Sequence, residues 1–116
     1  MQIRAFVAIL AVLGLLASCA QFPHSMDMTQ AVRSAKTSAA HEALAKHYED
    51  EAKRMQAKLQ EHKKMFEQYE AERQYYGRQG LDMETHCRGL IHLYEQAAEE
   101  NMNMAAAHRK MATEAK

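Results

Sequence analysis

Residues 39–76 read AAHEALAKHYEDEAKRMQAKLQEHKKMFEQYEAERQYY, without a proline or a glycine. Ala, Glu, Lys, Gln, Arg and Met dominate the stretch, and these are strong helix formers. His41, Ala45, Tyr48, Ala52, Met55, Leu59, His62, Phe66, Tyr69, Arg73 and Tyr76 follow one another in alternating steps of four and three. That alternation is a heptad seam, which predicts a long helix that buries one stripe against a partner. Outside the seam, Glu42–Lys46, Glu49–Lys53 and Asp50–Arg54 place an acid four residues before a base, an arrangement that supports a helix. His41, His62 and Arg73 interrupt the apolar character of the seam.

On the C-terminal side comes YYGRQGLD, residues 75–82. Gly77 suits the left-handed position that closes a helix, Gly80 loosens the turn, and Asp82 is a good N-cap. A second stripe then runs through Met83, Cys87, Leu90, Tyr94, Ala97, Asn101, Met104, His108, Met111 and Ala115, widened by Ile91, Ala98, Ala105 and Ala112. The expected organisation is a helix over about 39–76, a turn at 77–81 and a helix over about 82–115. So short a turn makes the helices antiparallel neighbours, with facing residue numbers that sum to about 157. His62 should then lie near Tyr94 and Glu95, and Met104 and His108 near Met55 and Ala52. The predicted fold class is all-α: a long antiparallel helical hairpin, coiled-coil-like, whose wide second stripe invites dimerisation into a four-helix bundle.

On the N-terminal side, residues 1–18 combine a short positive region at Arg4, an uncharged apolar run from Ala5 to Leu16, and small residues at Ala17 and Ser18. This is the pattern of a secretory signal peptide, and the run is shorter than the ~20 apolar residues that span a bilayer. The stretch Leu16-Ala17-Ser18-Cys19 resembles the lipobox of bacterial lipoproteins. The resemblance covers the leader alone. It implies diacylglycerol on the Cys19 sulfur, cleavage before Cys19, and an N-acyl chain on the new amine. Three acyl chains would make attachment effectively permanent, since each buried methylene contributes about 0.8 kcal/mol. Ala20 is not the Asp that retains many such proteins in the inner membrane, so the family rule implies the outer membrane, facing the periplasm. Residues 19–36, with Pro23, Ser25 and Asp27, read as a lipid-anchored flexible spacer ahead of a helical hairpin at 37–116.

Cleavage would leave 98 of the 116 residues, with 14 basic side chains against 15 acidic ones. Near-neutrality argues against a nucleic-acid partner, which calls for a clustered basic face. No Gly-rich phosphate loop, nucleophile elbow or Ser/His/Asp arrangement is visible, so an enzyme is not expected. Cofactor candidates come instead from the 7 His and 9 Met. Met104, His108 and Met111, at steps of four and three, place two thioethers beside an imidazole on one helix face, a set that suits copper; zinc is the other candidate, and plain core filling is the alternative. His62, Tyr94 and Asn101 are read as buried polar residues that fix register. With Cys19 acylated, Cys87 is the sole free thiol, read either as an intermolecular disulfide or as a small buried hydrophobe.

A lipid-anchored, heptad-bearing helical chain that ends in Lys116 also loosely resembles murein lipoprotein, in which the last lysine is joined to peptidoglycan. This chain departs from it by folding back on itself. The function expected from all this is structural or interactive, through a homodimer or another envelope protein. Periplasmic metal binding by the His and Met residues is the rival.

Overall fold

The computed structural model describes residues 27–115; residues 1–18, read as a signal peptide, Cys19, the first part of the expected spacer and Lys116 lie outside them. Three helices follow in order: α1, Met28–Ser34; α2, Ser38–Ala71; and α3, Arg73–Glu114. Among the described residues there is no strand, and no helix is long and apolar enough to cross a membrane. α2 and α3 pack along their lengths as an antiparallel hairpin, and α1 touches only α2.

Each helix starts for a local reason. The Asp27 carboxylate accepts the Thr29 and Gln30 N–H groups at 3.1 and 3.3 Å, which starts α1 within what the sequence suggests is a flexible spacer. Thr37 Oγ1 accepts the Ala40 N–H at 3.2 Å and starts α2.

The chain reverses at Gly77, the first residue of the turn expected at 77–81, and a milder break at Glu72 precedes it. Glu72 leaves the helical region with φ −101° and ψ 23°, yet its carbonyl accepts the N–H groups of both Tyr75 and Tyr76. Gly77, at φ 55° and ψ −133°, takes a backbone conformation that a Cβ would oppose. Gly80 does not loosen the turn. It is helical and buried, and a Cβ there would stand 2.8 Å from Tyr76 Cβ. Asp82 therefore lies inside α3 and caps nothing.

The α2 seam follows the sequence pattern. Ala45, Ala52 and Leu59 are buried and His41, Tyr48, Met55, His62, Phe66 and Tyr69 half-buried, and the stripe runs on into the start of α3 with Arg73 exposed and Tyr76 half-buried. On α3 the seam shifts by one residue at Met83, Met104 and Met111, where Glu84, Ala105 and Ala112 are buried instead. The buried or half-buried residues of the stripe are Gly80, Glu84, Cys87, Leu90, Ile91, Tyr94, Ala97, Ala98, Asn101, Ala105, His108 and Ala112. Met83, Met104 and Met111, expected in the seam, are instead 46, 41 and 43 % exposed. Alanine at 45, 52, 98, 105 and 112 leaves little side chain between the axes, which lets the helices approach closely.

Candidate functional site

Three polar groups interrupt the apolar seam, one near each end and one midway, and they hold most of the chemistry that the hairpin buries. At the turn end, Arg73 donates from Nε and Nη2 to the two Glu84 oxygens at 3.1 and 2.8 Å. Glu84 is only 4 % exposed, so this two-pronged bond is what makes its burial tolerable. The Arg73 bond holds the Glu84 carboxyl below its ordinary range against the opposing effect of burial.

Midway, the His62 and Tyr94 rings stack at 5.4 Å with 16° between their planes. His62 Nδ1 is buried and has no hydrogen-bond partner. The facing pairs His62–Tyr94, Arg73–Glu84 and Glu49–Arg109 keep the register inferred from the short turn. Asn101 does not bond across the hairpin: its amide donates to Ala97 O in its own helix at 2.7 Å. It fixes no register through that bond.

At the open end, His108 is 5 % exposed. Its ring stacks on Tyr48 at 5.6 Å with an interplanar angle of 7°, and on His41 at 5.4 Å and 27°. His41, Leu44, Ala45 and Tyr48 are spaced i, i+3, i+4 and i+7, the four corners of a hole into which a facing side chain inserts as a knob. Leu44 and Ala45, the inner corners, are 2 and 0 % exposed. The His108 knob also brings its Nδ1 to 3.1 Å from His41 Nδ1, so one ring donates an N–H and the other accepts. Burial first, and the neighbouring His41 second, hold the His108 imidazole below its ordinary 6.5. His108 thus sits on Tyr48 and His41 rather than beside Met55 and Ala52.

The trio Met104, His108 and Met111 is consequently split. His108 points into the hairpin, while the two methionines lie on the solvent flank, one turn to either side. The residue that the sequence pattern missed is His41. Its only early signal was that it occupies a seam position, where an imidazole is an odd choice. Cys87 is 4 % exposed and faces α2, and burial raises its thiol pKa. Among the described residues no group of three or more His, Cys, Asp or Glu is placed to hold a metal.

Comparison of the chain with protein-family models, with curated proteins and with solved structures finds no match.

Proposed function

We propose that the chain is an outer-membrane lipoprotein, acylated at Cys19 and facing the periplasm, whose hairpin pairs with a second copy as a structural element of the envelope. The observation that carries this reading is the apolar stripe that α3 leaves partly uncovered. Met83, Leu90 and Ala97 recur every seven residues beside the buried seam, Leu90 and Ala97 half-buried, Met83 46 % exposed and Leu93 near them 57 % exposed. A seven-residue apolar repeat is the signature of a helix that packs against another along its length. One hairpin has no further helix to offer it, whereas a second copy supplies an identical stripe and closes a four-helix bundle. The open end holds both the start of α2 and the end of α3, so an anchor at Cys19 sets copies side by side with their turns pointing away from the membrane.

The assembly is tested by sedimentation of the full-length chain in detergent. Wild type should sediment as a dimer, and Met83→Lys with Leu93→Lys as a monomer of unchanged helicity, because both side chains are exposed within one hairpin. A wild-type monomer at tens of micromolar would point to a different envelope protein as the partner. The anchor is tested by labelled palmitate, which the wild type should incorporate and Cys19→Ser should not.

A further inference from the structure

The open-end histidine pair brings two imidazole nitrogens from different helices to hydrogen-bond distance. We propose that His41 and His108 form the core of a binding site for a single copper(I) ion, completed by the thioethers of Met104 and Met111. The two Nδ1 atoms converge from different helices to 3.1 Å. An ion at the usual metal–imidazole distance of about 2.0–2.1 Å from both would subtend roughly 100° between them. That angle suits two neighbouring ligands of one ion.

The rings are also prepared as ligands. Tyr48 lies flat against His108 and fixes its plane. Burial and His41 disfavour the imidazolium, so the His108 lone pair is free at neutral pH. Binding replaces the hydrogen that links the two nitrogens. The ring that donates gives up its Nδ1 proton to solvent and takes one at Nε2, so both rings stay neutral and no net proton is released. His41, half-buried at the open end, gives an ion a way in without opening the hairpin.

The remaining donors choose the metal. Met104 lies four residues before His108 and Met111 three after it, and both are more than a third exposed. Unbranched thioether chains with three rotatable bonds can swing over the pair. Among the described residues no third His, Cys, Asp or Glu joins the two imidazoles. A structural zinc site takes four ligands from those residue types, whereas two imidazoles with thioethers are a soft set that favours copper(I). The exposure of Met104 and Met111, which removes them from the core, is what leaves their sulfurs available.

The test is anaerobic titration of the full-length chain in detergent with the copper(I) complex of bicinchoninate, followed by the loss of the chelator's colour. Wild type should withdraw one equivalent of copper(I). His41→Gln and His108→Gln should each weaken that hold by more than about 100-fold, beyond the 10–100-fold typical of residues that only support a ligand. Met104→Leu with Met111→Leu keeps volume at exposed positions and leaves the fold intact, and it too should weaken the hold at least about 10-fold. X-ray absorption of the loaded wild type should show both nitrogen and sulfur neighbours. Failure of wild type to compete with the chelator, an unchanged hold in His41→Gln, an unchanged hold in the double methionine variant, or zinc(II) bound as tightly as copper(I) would each overturn the assignment.

Discussion

At the turn end of the hairpin, Arg73 and Glu84 meet across 11 residues of chain through two charge-assisted hydrogen bonds; at the open end, His41 and His108 meet across 67 through one shared proton. The turn end uses charge where the chain already holds the helices together. The open end has no covalent link nearby and relies on fit: the His108 knob, the Leu44 and Ala45 corners, and alanines that bring the axes close. The difference shows how one seam serves two tasks. Near the turn a full charge is buried because its partner cannot drift away, whereas at the far end neutral rings are stacked because a parted ion pair there would leave a charge stranded.

The largest way to break this contrast is Leu44→Ala. Leu44 is the largest fully buried side chain, and deleting it should cost about 2–5 kcal/mol in urea unfolding of the full chain. The Tyr48–His108 stack should loosen while the Arg73–Glu84 end stays in place, as amide NMR would show. Equal loss at both ends would mean that the ends are not independent. Gly77→Ala attacks the other end. A Cβ at φ 55° should cost about 1–2 kcal/mol, even though nothing lies within 4 Å of it, because the penalty is in the backbone.

Acid should separate the ends without any substitution. The unfolded chain takes up a proton at His108 near 6.5, and the folded chain only at lower pH, so the folded state loses stability as the pH falls below 6.5. Glu84 is also lowered on folding, from 4.5, so its contribution is complete above 4.5 and drains only below it. Amide signals around residues 41–52 and 105–112 should therefore broaden first, and those around 69–87 in a second, more acidic step. A single concerted step would contradict this order. The smallest effect is expected from Asp50→Asn. It removes the exposed Lys46 and Lys53 contacts at 3.1 and 3.9 Å and should leave the melting temperature within error.

The hairpin, its register and the α2 seam were legible because a sustained four-three spacing without proline or glycine admits few other structures. The α3 seam was legible at Cys87, Tyr94, Asn101 and His108 and misread at Met83, Met104 and Met111. Both phases of the alternation pass through those four residues, and hydrophobicity favours Met83, Met104 and Met111 over Glu84, Ala105 and Ala112. Size decided otherwise: alanines fit against Tyr48, Leu59 and their neighbours. Glu84 enters the seam only because Arg73, which looked like a flaw in the first seam, is there to meet it. The turn is tighter than it reads, since Gly80 looks like flexibility but is helical and required for a close approach to Tyr76. His41 with His108 stayed hidden because pairing across 67 residues depends on which knob enters which hole.

The spans closed by the two polar pairs bear on how the molecule comes together in time. Entropy lost in closing a flexible loop grows with the logarithm of its length, so joining His41 to His108 directly costs about 1.6 kcal/mol more than joining Arg73 to Glu84. Assembly that begins at the tight bend and advances outward meets only short closures, one heptad after another, as in the closing of a zipper. The reverse order of opening follows: amide hydrogens beside His41 and His108 should exchange through brief local separations, and those beside Glu84 only when the whole hairpin comes apart.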